Sequence, residues 1–391
     1  MKKNGVYLDN CKTSKLAPEV LDEMIPYLKG KFWYPGAFTS IGTEIAEAID
    51  DSQKTIADVL NAKPKEIIFT SGGTDANNIA IKGLMRANKN VGKHFITSTI
   101  SHPAVLAIFQ ALEKEGYEGT YISANRDGYL NLEELKNAIR KDTVLVAFTH
   151  INHILGTIQK IEKIKNILAK ANHKIYLFLD SCEAFAKIPI DVKMFGIDIL
   201  SISAHKFNGP KGIGALFLKK GTKIVPIQHG ITRLHHLKPG SVNVPAIIGM
   251  QKAVQLAFEN FEEQISKLRK LQNLLHNTIS ERILDVKLNG PPLGERSPTH
   301  LNFSFSFVEG EAIMLMLDFE KIYVETGSAC YSQGLKPNYI LMQTGRTHEE
   351  SHSSIRFTLD RFVTKEGILR TVNVLEKVIK ELRRRSPFGE N

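Results

Sequence analysis

Cysteine is scarce in this chain: its 391 residues hold three, Cys11, Cys182 and Cys330. An odd, sparse set builds no disulfide framework, which excludes the small stapled secreted folds and points to a reducing compartment. Long apolar runs are missing too. Lys2 and Lys3 are not followed by the apolar stretch of a secretory leader, and no segment approaches the roughly 20 apolar residues of a membrane-spanning helix. The expectation is a soluble, cytoplasmic protein without a membrane partner. Internal repeats and low-complexity tracts are absent, and no RNA-binding motif or aromatic-basic platform accompanies the formal net charge of +10. Lysines are spread through helical segments such as Lys160-Ile161-Glu162-Lys163-Ile164-Lys165, as on a solvated basic surface, so direct nucleic-acid binding is not expected. The one tight basic run, Arg383-Arg384-Arg385, suits the C-terminal end of a helix.

What the chain does have is core-forming content, 42% hydrophobic, and a length that suggests two or three domain-sized units. Apolar runs at Phe95-Ile96-Thr97, Val144 to Phe148, Tyr176 to Leu179 and Ile199 to Ile202 alternate with helical patterns. Short continuous apolar strands between helices imply an α/β fold with a mostly parallel central sheet covered on both faces. From about Ala246 to Ile283 a long amphipathic helix is expected, with Val254, Phe258, Phe261, Ile265, Leu268, Leu271 and Leu275 at helical spacing. It leads into a smaller C-terminal α/β domain whose sheet includes His300 to Phe305 and Ile355-Arg356-Phe357, closed by a helix from Lys365 to Arg385. The expected division is a large domain over 15–255 and a small one built from 1–14 and 256–391.

Three features carry chemistry. Ser203-Ala204-His205-Lys206 ends an apolar run and offers an amine. Ser71-Gly72-Gly73-Thr74 follows the strand-like Glu66 to Thr70 and opens a helix, and Asp180 ends the run Ile175 to Leu179. Backbone N–H groups at a helix N-terminus bind phosphate, and glycines permit close approach. A Gly-Gly-Thr turn alone is an ordinary strand-to-helix connection. With an acid to face a pyridine nitrogen and a lysine to capture an aldehyde, it completes the parts list of a pyridoxal 5'-phosphate (PLP) enzyme. Asn152, Asp180, His205 and Lys206 also fall at or just past strand ends, where open α/β sheets bind ligands.

From Tyr7-Leu8-Asp9-Asn10 to Phe362 the chain resembles the class V aminotransferase superfamily, and within it the NifS/IscS-type cysteine desulfurases. The resemblance implies a fold-type I PLP-dependent transferase, a homodimer, and removal of sulfur from L-cysteine to give L-alanine and an enzyme persulfide. It assigns Lys206 as the Schiff-base lysine, Asp180 as the pyridinium partner and His102 in Ser101-His102-Pro103 as the ring-stacking histidine. Gly73, Thr74, Ser203 and His205 become phosphate ligands, joined by Ser241 from the neighbouring subunit. Asn152 lies beside the cofactor phenolate and the substrate, and Arg356 in Ser354-Ile355-Arg356-Phe357 forks the substrate carboxylate. Cys330 in Gly327-Ser328-Ala329-Cys330 is the thiol that receives sulfur, for delivery to iron–sulfur scaffold proteins or tRNA-thiolation enzymes. No metal is expected.

Departures from the family pattern cluster near this site. Asp9-Asn10-Cys11-Lys12-Thr13-Ser14 replaces Asp-Asn-Asn-Ala-Thr-Thr, Trp33 to Ala37 replaces Gly-Asn-Pro-Ser-Ser, Asn152-His153-Ile154-Leu155-Gly156 replaces Asn-Asn-Glu-x-Gly, and Lys238-Pro239-Gly240-Ser241 replaces Arg-Ser-Gly-Thr. Glu183 stands where the family has a glutamine that donates toward the cofactor phenolate. An ionised carboxylate cannot donate, so Glu183 must be protonated, turned away or paired with a cation. Two alternatives stay open: another PLP reaction (aminotransferase, β-lyase or selenocysteine lyase), or a catalytically degenerate scaffold homologue.

Overall fold

The computed structural model describes residues 5–231, 234–326 and 337–385; Cys330 and its loop lie outside them. Seven strands form the central sheet in the spatial order Ile67–Thr70, Gly214–Leu218, Ile199–Ser203, Tyr176–Asp180, Thr143–Thr149, His94–Ser98 and Glu118–Ile122. Gly214–Leu218 runs antiparallel to both its neighbours, and the other pairings are parallel. The continuous apolar runs arise because both faces are covered. In Tyr176–Asp180, Leu177 and Leu179 join the core that holds Ile45, Ile49 and Ile247, while Phe178 joins the opposite core with Ile79, Leu84 and Phe109.

A second sheet of four antiparallel strands is ordered Glu325–Thr326, Ser354–Thr358, His300–Phe305 and Val286–Leu288. Its apolar residues Phe303, Phe305 and Phe357 pack with Leu271, Leu275 and Ile279 of the helix Phe261–Arg282 and with Val372, Leu375 and Ile379 of the helix Lys365–Arg385. The basic end of the latter helix is used locally. Arg384 and Arg385 pair with Glu381 at 2.8 and 2.5 Å, and Arg383 donates to the carbonyl oxygens of Ser306 and Leu284.

The single long helix expected over Ala246 to Ile283 is instead two helices, Val244–Phe258 and Phe261–Arg282. They serve different cores. Ile247, Met250 and Val254 face the large sheet, whereas Leu268, Leu271 and Leu275 face the small one, and a straight helix cannot point one stripe at both. Asn260 leaves helical geometry at φ −133°, ψ 53°, and the rings of Phe258 and Phe261 stack across the break at 5.1 Å.

The N-terminal segment stitches the two cores together. Val6–Tyr7 pairs in parallel with Ile322–Tyr323, and Leu8 joins the small core. Asn10 then donates to the Thr358 carbonyl at 2.8 Å, and the Cys11 N–H donates to Thr358 Oγ1 at 2.9 Å. Three residues on, Ser14 donates from its backbone N–H and its hydroxyl to the His205 carbonyl, each at 2.8 Å.

Gly156 shows how tightly the large unit holds the small one. Its φ is +74°, and a Cβ there would lie 2.5 Å from Cβ of His300. Gly156→Ala combines left-handed strain of about 1–2 kcal/mol with overpacking of about 1–3 kcal/mol. A loss of about 2–5 kcal/mol is expected in urea unfolding; an unchanged midpoint contradicts the packing described.

Candidate active site

Because they are parallel, the strands Ile67–Thr70, His94–Ser98, Thr143–Thr149, Tyr176–Asp180 and Ile199–Ser203 end on the same sheet edge, and the residues that follow them converge there. The first contribution is an anion cup. The helix Gly73–Ala87 begins with Gly72 at φ +141° and no side-chain cap, so its first N–H groups stay free for a ligand. A Cβ on Gly73 would sit 2.5 Å from Cys182 Sγ, so only glycine fits this floor. Ser203 Oγ faces Gly72 from below and is buried, while Thr74 is exposed on the open side.

Asp180 is buried at the end of its strand and held at both oxygens. Asn77, one turn into the cup helix, donates to Oδ2 at 2.9 Å, and the Cys182 N–H donates to Oδ1 at 3.1 Å. His102 caps the helix Pro103–Lys114, accepting from the Ala104 N–H through Nδ1 at 3.1 Å. Burial lowers its pKa, so the ring is neutral with its proton on Nε2. His153 packs edge-on against it, centroids 4.6 Å apart.

Lys206 is the centre of a buried charge cluster. Its ammonium donates to the Cys11 carbonyl and forms an ion pair with Glu183 Oε1 at 2.9 Å, while Glu183 Oε2 accepts from Lys187 at 2.6 Å. Of the three states open to Glu183, the structure has the cation-paired one. Burial opposes its charge, yet Lys187 and Lys206 outweigh burial and hold the carboxyl well below its usual range. Burial likewise opposes the charge on Lys206, and Glu183 overcomes it, so the ammonium is held above its ordinary range. His300 lies 3.7 Å from Glu183 but is kept neutral by complete burial. Burial also pushes the Cys11 thiol up to about 11, where it stays protonated and donates to the His153 carbonyl at 3.3 Å.

Arg356 is buried on the strand Ser354–Thr358 and aimed into the same cluster. Its Nη2 pairs with Asp9 at 2.7 Å, its Nη1 donates to the His153 carbonyl at 3.1 Å, and its Nε finds no partner among the described residues. Asn152 is spent internally: its amide donates to the Ile100 carbonyl at 3.2 Å, and Oδ1 accepts from Ile154 and Leu155 at 3.0 Å each. His205, pulled down to about 4 by burial, faces Thr13 Oγ1 at 3.2 Å. Ser241 lines a cavity of about 100 Å³ with Thr70 and Ser71 of its own chain, and beside it Lys238 pairs with Asp75 at 3.0 Å. The 238–241 segment thus borders this chain's own cup.

Asn77, Asp9, Lys187 and His300 belong to the site but are given no role by the sequence, and His153 stands there only within the altered segment Asn152 to Gly156. Glu183 and Lys187, four residues apart with opposite charge, carried a local signal; the other contacts join distant segments. An amine, a fixed carboxylate and a glycine-floored N–H cup suit an aldehyde, a pyridine nitrogen and a phosphate respectively, so the residues present fit PLP.

The family model for aminotransferase class-V matches residues 6–370. A cysteine desulfurase IscS from Dictyoglomus turgidum is 45% identical over 388 residues, 99% of this chain and 98% of that protein. Among solved structures, a NifS-like protein superposes with TM-score 0.91 at 29% identity, covering 97% of this chain and 100% of that one. A structure described as SspA in complex with cysteine aligns at TM-score 0.80 and 31% identity, over 92% and 100% of the two chains. With sequence and fold in agreement over nearly its whole length, the chain belongs to the class-V aminotransferases, the fold-type I PLP enzymes among which the cysteine desulfurases fall.

Proposed function

We propose that this chain is a PLP-dependent cysteine desulfurase, taking sulfur from L-cysteine, releasing L-alanine and leaving a persulfide on Cys330. The observation that carries the reading is the meeting of Lys206, Asp180 and the uncapped Gly73 helix at one sheet edge, in a chain 45% identical to a cysteine desulfurase. When bound, PLP supplies an electron sink for the substrate's α carbon. Lys206 would hold the cofactor's aldehyde and move the substrate's α proton, and neutral His102 would lie against the ring. Asp180, kept in place by Asn77, would serve the pyridine nitrogen. Gly73, Thr74, Ser203 and His205 would take the phosphate.

Arg356 holds the substrate carboxylate. Its Nη2 is committed to Asp9 and its Nη1 to the His153 carbonyl, while its buried Nε has no partner among the described residues, leaving that donor capacity for a carboxylate. Asn152 would serve the cofactor phenolate or the substrate by giving up its 3.2 Å bond to the Ile100 carbonyl. Cys330, as thiolate, attacks the substrate sulfur; the Cβ–S bond breaks with its electrons going to carbon, and a proton completes alanine. The protein works as a cytoplasmic homodimer in which Ser241 reaches the neighbouring phosphate site, and it hands sulfur to iron–sulfur scaffold or tRNA-thiolation proteins.

Borohydride reduction of the PLP-loaded chain followed by peptide mapping puts the adduct on Lys206; an adduct on another lysine overturns the assignment. Cys330→Ala keeps PLP but loses sulfide and alanine production from cysteine, and full retention of turnover removes Cys330 from its role. Ser241→Ala weakens PLP binding about tenfold to a hundredfold, the worth of one hydrogen bond to a charged group. Titration of the PLP-free chain with parallel measurement of mass in solution checks this; a monomer with undiminished affinity contradicts the dimer.

A further inference from the structure

Glu183 is 4% exposed and touches two ammonium groups, Lys206 at 2.9 Å and Lys187 at 2.6 Å. Lys206 also donates to the Cys11 carbonyl. A carbonyl and a carboxylate can only accept, so both contacts reward the protonated amine. The nucleophile that adds to an aldehyde is the neutral amine. The arrangement around Lys206 therefore stabilises the form that cannot react.

The other groups facing Lys206 do not cancel this. From the N-terminal segment come Tyr7 and Cys11; from the end of Tyr176–Asp180 come Asp180 and Cys182; His205 is adjacent; His102 and His153 lie across the site, with Arg356 and Lys187 as further cations. The histidines and thiols are buried in their neutral forms, Asp180 is engaged by Asn77 and the Cys182 N–H, and Asp9 is engaged by Arg356. Among the described residues, Glu183 is the anion in contact with the lysine. Behind the pair, a cavity of about 50 Å³ between the two cores is lined by Lys187, Lys206, Asn208 and Asp360. It is large enough for water, which would meet these polar groups among the apolar Phe207, Ala253, Leu256 and Leu268.

We propose that Glu183 is a positioning residue that clamps Lys206 as an ammonium ion against the Cys11 carbonyl, so that cofactor capture waits on loss of that proton through the Lys187-lined cavity. The inference rests on the reading that Lys206 carries PLP. The chemistry balances without an oxidant or reductant. Lys206 gives its proton up to water in the cavity that its own side chain lines, the amine adds to the aldehyde carbon, and the aldehyde oxygen leaves as water while the C=N bond forms.

The test uses the full-length chain freed of PLP and a reagent that needs no cofactor. Acylation of Lys206 by acetic anhydride is followed by peptide mass mapping from neutral to alkaline pH. In Glu183→Gln the rise in labelling moves to lower pH by at least about one unit, equivalent to about tenfold more free amine below both midpoints. Lys187→Met shifts the other way, because Glu183 then has Lys206 alone to neutralise, and it serves as the test if the first variant does not fold. A Glu183→Gln profile that superimposes on the parent, or a Lys187→Met profile that moves to lower pH or stays put, overturns the clamp. PLP capture, followed by visible absorbance and mapping, tracks the same shifts. Capture at another lysine with the acylation shifts intact refutes the cofactor reading and leaves the ion-pair clamp standing.

Discussion

Everything at this site depends on strand direction. Five strands of the large sheet end on one edge, and each turns there into a residue the chemistry needs: the cup after Thr70, His102 after Ser98, Asn152 after Thr149, Asp180 itself, and Lys206 after Ser203. Parallel strands covered on both faces allow no slip in register without moving apolar side chains into the wrong core. The positions of the functional groups are therefore set by the packing of Phe178, Leu179 and Leu200, which lie wholly within the cores.

Charge is handled at that edge in separate closed sets. Glu183 is shared by Lys187 and Lys206, Asp9 is matched to Arg356, and Asp180 is met by neutral donors. Removing one member of a buried pair leaves its partner uncompensated, which is typically far costlier than the pair's net worth. The departures Cys11 and Glu183 sit inside this arrangement and alter what surrounds the lysine.

In the small unit, the strand His300–Phe305, the strand around Arg356 and the helix Lys365–Arg385 were legible because burial writes itself as period and continuity, whereas the strands Val286–Leu288 and Glu325–Thr326 were not among those expected. His300–Phe305 and Lys365–Arg385 have the bounds that the pattern predicts. The break at Asn260 was not legible, since the apolar spacing continues through it; what changes is the core each half faces. The lysine, the acid and the cup could be picked out because each ends or begins an element. Asn77 against Asp180, or Asp9 against Arg356, could not: the partners are 103 and 347 residues apart, and nothing local to either marks the contact. That Glu183 must be protonated, turned away or paired with a cation followed from valence alone; which of the three, and with which cations, required the fold.

The stitch made by residues 8–14 has a consequence for the order in which the molecule is built. Asn10 and Cys11 are bonded to Thr358, and Asp9 to Arg356, so these residues find partners made 347 or 348 residues later. Chains are made from the N-terminus, and units that are complete fold as they emerge. The large sheet can assemble early, but the floor beneath Lys206 stays open until the strand Ser354–Thr358 exists. The pocket is thus finished only once that strand has been made, and a chain truncated before it keeps Lys206 and Asp180 but lacks Arg356 and the Thr358 contacts that hold Asn10 and Cys11.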